Sequence, residues 1–246
     1  MFYIFDDFFI GFLVNSLLIL IFCRIPIMTK NGWISAGILG TILWGCLSWQ
    51  GWMSVVLYLI LGSFVTKIGF SYKESRGIAE KRSGKRGPEN VWGSAATGLF
   101  FAILIKLDLA NLDILKVAYA ASFAAKLADT FGSEIGKRFG RNTYLITNLQ
   151  KVKKGTEGGI SFEGTFASLL GAIIMSYLMY LLDLINMKSQ FLIVIFSGFL
   201  ATVLESYIGA RFQEKYKLTN EIVNSIQTSI SAGLSILIYL AWINFY

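Results

Sequence analysis

The sequence predicts an all-α, polytopic transmembrane bundle of about eight helices. Three observations carry that expectation. The chain is 55% hydrophobic and only 15% charged, against about a quarter charged in ordinary soluble domains. Its apolar runs are long enough to cross a bilayer, which needs about 20 residues. The basic residues fall almost entirely in every second connection.

The eight candidate spans run over about 5–25, 33–50, 52–69, 91–107, 112–135, 163–183, 190–210 and 222–245. The first follows Asp6 and Asp7, has no basic leader and no clear small-residue cleavage site, so it reads as a retained helix. The first, third, fifth and seventh connections hold nearly all the Lys and Arg, including Arg24, Lys30, Lys73, Arg76, Lys137, Arg138, Arg211 and Lys215. The positive-inside rule places those loops in the cytoplasm and both termini on the non-cytoplasmic side. Adding or removing one span destroys the alternation. No internal repeat or low-complexity linker is visible, so residues 1–246 read as one membrane domain, with a polar functional core in helices four to eight, residues 85–235.

Composition also excludes functions. The net charge of +7 is spent on topology, so no nucleic-acid partner is expected. With no histidine, His-based triads, His-ligated metals and His-ligated haem are absent. The two cysteines, Cys23 and Cys46, lie in or beside apolar runs and form no zinc or disulfide framework.

Ionisable groups inside spans are costly and therefore informative. The fifth span carries a small-residue stripe, Ala118, Ala121, Ala125, Ala128 and Gly132, suited to close packing. Beside it run Ser122, Lys126, Asp129 and Ser133, with Glu134 and Lys137 toward the loop. Two readings stand: a self-neutralising Lys126–Asp129 pair, or a phosphate-binding lysine beside a metal-binding carboxylate. Glu205, near the end of the seventh span, is either a snorkelling acid or an inward-facing one. In the eighth, Asn220, Asn224, Gln227, Ser231 and Ser235 share a face; they either join helices or wall a polar cavity. Ahead of the fourth span, Lys85, Arg86, Glu89 and Asn90 either bind phosphate and metal or form a topology cluster with a helix start at Pro88.

The stretch "KKGTEGGISFEGT", residues 153–165, is not a Walker A loop, since G-x-x-x-x-G-K-[ST] is absent. Its glycines Gly155, Gly158 and Gly159 still suit an anion nest, ahead of a helix whose positive dipole end points the same way. Glu157 and Glu163 would be out of place in a bare phosphate nest unless a divalent cation bridges them; Glu163 also fits as an ordinary first-turn acid. All these segments lie on the predicted cytoplasmic side, where a soluble nucleotide arrives.

Several long blocks together resemble the phytyl-phosphate kinase family of plants, cyanobacteria and other bacteria. They are "GIAEKRSGKRGPENVWGS", "FAAKLADTFGSEIGK", "TYLITNLQKVKKGTEGGISFEGTFASLLG" and "ESYIGARFQEK", followed by "NEIVNSI". The resemblance implies CTP-dependent phosphorylation of phytyl phosphate, or a related isoprenoid monophosphate, to the diphosphate that feeds tocopherol and prenyl-lipid synthesis. Plant members begin with a chloroplast transit sequence and this chain has none, so a bacterial or cyanobacterial membrane is expected. The implied partners are a prenyl monophosphate, a nucleoside triphosphate and membrane lipids.

Roles follow from residue chemistry applied to that reaction. Lys126, Asp129 and Glu134 are the expected catalytic residues. Asp129, Glu134, Glu157 and Glu163 are the candidate ligands of Mg2+ or another divalent cation. Arg86, Lys126, Lys137, Lys153 and Lys154 would neutralise phosphates, and Gly155, Thr156, Gly158 and Gly159 would wrap the triphosphate. Glu89, Asn90, Glu205, Arg211 and Asn224 complete the expected binding set. Rival functions are a kinase of the free prenyl alcohol, a cytidylyltransferase, and a transporter or flippase of a phosphorylated lipid.

Overall fold

A computed structural model describes residues 2–245. They form eight α-helices in the order α1 (Phe2–Phe22), α2 (Lys30–Lys67), α3 (Phe70–Ser75), α4 (Pro88–Lys106), α5 (Leu112–Phe139), α6 (Phe162–Leu181), α7 (Lys188–Ile208) and α8 (Asn220–Phe245). By length and composition alone, four helical segments can cross a membrane: Lys30–Lys67, Phe162–Leu181, Lys188–Gln213 and Asn220–Phe245. Geometry adds the others.

The long α2 is a hairpin. Leu47 and Ser48 leave helical geometry, Ser48 with φ 55° and ψ −159°. The rings of Trp44 and Trp52 then meet at 5.3 Å between centroids, whereas eight residues of straight helix separate their backbones by about 12 Å. Arg86 settles the matter. Its carbonyl accepts from Thr29 N at 3.0 Å, at the start of α2. Its guanidinium donates to Tyr58 Oη at 2.7 Å, in the second arm. Only a folded-back α2 brings both within reach of one residue. The arms, residues 30–46 and 49–67, correspond to the second and third expected spans.

The remaining helices alternate direction. α1 runs antiparallel to the first arm of α2, with Gly11 against Trp44, Asn15 against Gly40 and Ile19 against Gly37. Lys106, at the end of α4, lies 4.0 Å from Asp7 near the start of α1. Gln190 at the start of α7 donates to Tyr239 near the end of α8 at 3.3 Å. Eight segments thus cross the bundle, and both described ends of the chain lie at the same end of it.

α5 forms the axis. Its residues Val117–Ala128 are all buried, ringed by α2, α4, α6, α7 and α8. That position explains a helix with too many polar groups to meet lipid: protein, not hydrocarbon, surrounds it. Its alanines admit close neighbours on several sides, Gly171 of α6 lying against Ala128 and Gly198 of α7 against Ala124.

One element lay outside the sequence expectation. The connection from α5 to α6 folds into a small antiparallel sheet, β1 (Thr143–Leu145), β2 (Lys151–Val152) and β3 (Gly159–Ile160), in the order β2-β1-β3. Thr143 pairs with Val152, and Leu145 with Gly159. Strands of two or three residues leave too short an alternation to be read from sequence.

Candidate functional site

At one end of the bundle, where residues 78–90, the small sheet and the α7–α8 connection gather, lies a cavity of ≈ 730 Å3. Its floor is the polar end of α5. Lys126 is ion-paired to Asp129 and donates to Asn224 Oδ1 of α8 at 2.8 Å. The self-neutralising pair is therefore real, and it lines the cavity. Asp129 also faces Glu205 and Glu157 electrostatically, and neither of those carboxylates has a cation partner within ion-pair distance among the described residues.

On α8 the structure divides the expected polar stripe. Asn220 and Asn224 line the cavity. Deeper, Gln227 donates to Ala125 O at 3.1 Å and Ser231 to Ala121 O at 2.8 Å, so these tie α8 to the axis. Ser235 bonds Ala232 O of its own helix.

The segment before α4 is held against α2 by Arg86, whose backbone pairs with residues 27–29. Its guanidinium bonds Tyr58 and borders the cavity. Asn90 is a hub. Its Oδ1 accepts from Gly87 N at 2.9 Å and Arg82 Nη2 at 3.2 Å, and its Nδ2 donates to Glu221 of α8 at 3.3 Å. Glu89 is exposed, ion-paired with Arg82 and outside the lining. Lys81 and Lys85 line the cavity with no carboxylate within ion-pair distance among the described residues.

Lys73 and Glu134 meet in the interior, Glu134 also lining the cavity. They form a buried ion pair, with side chains 0% and 2% exposed, and Lys73 also donates to Thr66 O at 2.8 Å. Glu134 further accepts from Lys137 at 3.4 Å, and Lys137 donates to Glu80 at 3.1 Å. The expected topology lysine is an internal strut, while Glu134, an expected metal ligand, has its charge shared between two ammonium groups. Burial opposes ionisation of Glu80, but the Lys137 ammonium outweighs it and holds that carboxyl below its ordinary range.

The glycine loop borders the cavity from Gly155 to Gly159. Two tight turns shape it, Thr156 N to Lys153 O at 3.2 Å and Gly159 N to Thr156 O at 2.9 Å. Gly155 and Gly158 adopt φ of 81° and 69°, a region that penalises other residues. The N–H groups of Gly155, Glu157 and Gly158 find no acceptor among the described residues. Partial withdrawal of Glu157 from water pushes its carboxyl up; Asp129 and Glu80 add to this while Lys137 opposes it. Gly158 also sits against Ala210 and Ser206 O, where a methyl group has no room. Gly158→Ala is expected to lift the loop from the end of α7 and to lower stability by roughly 1–2 kcal/mol, the cost of a left-handed alanine. A detergent melting curve checks this; an unchanged curve would mean that the loop does not depend on the close contact.

Besides Glu89, four expected residues stand away from the lining. Glu163 accepts from Arg141 N at 3.2 Å. Lys153 and Arg211 are exposed, and Lys154 lies over the Tyr72 ring at 5.6 Å. Among the described residues no three carboxylate or thiol side chains are close enough to enclose a metal alone. A Mg2+ that takes phosphate oxygens and water needs one or two carboxylates, and Asp129 with Glu157 or Glu205, neither of which is ion-paired among the described residues, suits that donor chemistry.

A family model described as integral membrane protein DUF92 matches residues 13–238. An uncharacterized membrane protein of Synechocystis sp. is 45% identical over 231 residues, covering 91% of this chain and 88% of that one. Protein VTE6, chloroplastic, of Arabidopsis thaliana is 37% identical over 216 residues; the match covers 85% of this chain and 65% of that protein. An uncharacterized membrane protein of Methanocaldococcus jannaschii is 31% identical over 231 residues, 90% of this chain and 92% of its own. No solved structure matches the chain.

Proposed function

The chain belongs to the integral membrane family DUF92, and from that premise we propose that its cavity transfers the γ-phosphoryl group of CTP to phytyl phosphate or a related isoprenoid monophosphate. The observation that carries the reading is the cavity itself: clustered cations, carboxylates with no ion-pair partner and a loop with free N–H groups, all bordering the lipid-facing helices. The resemblance to the phytyl-phosphate kinase family supplies the reaction.

Phosphoryl transfer asks mainly for positioning and charge neutralisation. Lys81, Lys85, Arg86 and Lys126 offset the charge of two anionic reactants. Asp129, with Glu157 or Glu205, would hold Mg2+, which when bound supplies neutralisation of developing phosphate charge. The N–H groups of Gly155, Glu157 and Gly158 receive phosphate oxygens. An oxygen of the acceptor phosphate attacks the γ-phosphorus, the bond from that phosphorus to the β-γ bridging oxygen breaks, and CDP leaves. The acceptor is already an anion, so no strong general base is required, in keeping with a chain lacking histidine. On this reading the basic loops and the cavity face the cytoplasm.

Purified protein given Mg2+, CTP and phytyl phosphate is expected to yield CDP and phytyl diphosphate. Pyrophosphate with a CDP-lipid would replace this reading by cytidylyl transfer. Phosphorylation of free phytol alone would make the protein an alcohol kinase. Lipid movement in liposomes without turnover would make it a transporter.

A further inference from the structure

The cavity does not end at the charged floor. It extends along α6 from Ser161 to Ser168 and along α7 from Ser206 to Phe199, seven residues on each helix, or about 10 Å. The character of the wall changes along that path. Near the mouth it is Glu205 and Ser206; deeper, Val203 and Phe199, both half-buried, flank Thr202. On the opposite side Thr165 of α6 lines the cavity and is exposed.

α6 and α7 both line that part of the cavity. They are joined by a short connection at the far end of the bundle, where the rings of Tyr180 and Phe191 lie 6.5 Å apart. Toward the site no hydrogen bond joins them among the described residues. The neighbouring seams are shut. Between α5 and α6, Gly132 meets Gly164 O and Ser168, leaving no room for a side chain. Above, Gly158 of the loop rests on Ala210 and Ser206 O and closes the top of α7. What remains is a slot walled by Phe199, Thr202 and Val203 of α7 and by Thr165 and Ser168 of α6, with Phe166 and Phe196 exposed on the outer surface of the same two helices.

We propose that this slot is the lateral portal for the acceptor's hydrocarbon tail, and that Val203 and Phe199 set which tails fit; the proposal rests on the reading of the acceptor as a lipid monophosphate. Phe199 and Val203 give a tail leaving the charged floor apolar side chains to lie against. Through the slot its methylenes stay against apolar side chains and reach the bilayer without crossing water. The head stays beside Lys126, Asp129 and Glu205, one to two helical turns above Phe199. The α6–α7 slot thus couples a water-facing nucleotide site to a membrane-resident substrate.

The test uses the full-length protein in nanodiscs with two readouts. First, a prenyl monophosphate carrying a diazirine in its tail is photolysed and the labelled peptides are mapped. Label in 165–173 of α6 and 196–203 of α7, diminished by Val203→Trp, is expected. Label confined to α2, α4 or α8, or no label, overturns the portal. Second, Val203→Trp is expected to lower kcat/KM for phytyl phosphate at least about tenfold, the loss of roughly two buried methylenes, while leaving KM for CTP within about twofold. A five-carbon prenyl phosphate, too short to enter the slot, should lose far less. Equal losses for long and short acceptors, or none for either, would refute it. The labelling stands apart from catalysis: a protein that labels in the slot but forms no diphosphate loses the kinase reading and keeps the portal.

Discussion

Asp129→Asn is expected to cut phosphoryl transfer by about two to three orders of magnitude, the usual cost of deleting one charge-stabilising group, in a protein that remains folded. Asp129 sits at the cavity floor, its side chain 17% exposed. Asparagine preserves its size and an oxygen that accepts from Lys126, and Lys126 keeps its bond to Asn224 at 2.8 Å. Only the negative charge is lost. If that charge helps to hold a divalent cation, the residual activity should require more Mg2+ than the wild type. Transfer of labelled γ-phosphate to lipid, measured across a Mg2+ titration, reads both effects, and a melting curve in detergent reads the fold. Wild-type turnover would remove Asp129 from the machinery. Loss of the melting transition along with activity would make it a structural residue instead.

Lys73→Met is expected to be the most destabilising single substitution considered, by about 3–5 kcal/mol, because it strands a buried carboxylate. Glu134 would keep only Lys137, at 3.4 Å, and the short α3 would lose its anchor to Thr66 O. Lys73→Met combined with Glu134→Gln removes both charges and should recover much of the loss, a coupling that a double-mutant cycle measures. Thermal unfolding in detergent gives the stabilities. The same variants also decide what Glu134 does. If it is a scaffold residue, the double variant regains turnover with stability; if it is a metal ligand, the double variant is stable and inactive. Additive losses would refute the strut.

Much of the bundle was legible because its signals are local. Span lengths follow from apolar runs, although the break at Leu47–Ser48 lies just inside the end of the second expected span, 33–50, rather than in the gap after it. The family resemblance is likewise carried by contiguous blocks, and the membrane family match bears it out. The roles of individual residues were less legible. Lys73 has the same chemistry as its basic neighbours in the loop, and nothing near it in sequence shows that Glu134, 61 residues away, turns it inward. Glu80, Lys81 and Lys85 line the cavity while Lys153 and Arg211 do not, a distinction that depends on how the loops fold over the helix ends. Gln227 and Ser231 share a helical face with Asn224, yet depth along α8 divides cavity wall from interhelical bond.

By itself, then, the sequence determined that this is a helical membrane protein of about eight spans whose polar groups collect at one end. Periodicity, hydropathy and charge placement are properties of neighbouring residues, and the bilayer acts on them directly. Only the tertiary structure decided which charges face one another, which glycines border the cavity, and where that cavity opens toward lipid. Those depend on contacts between segments far apart in the chain, so identical side chains acquire different surroundings, one lysine buried as a strut and another held at the cavity floor.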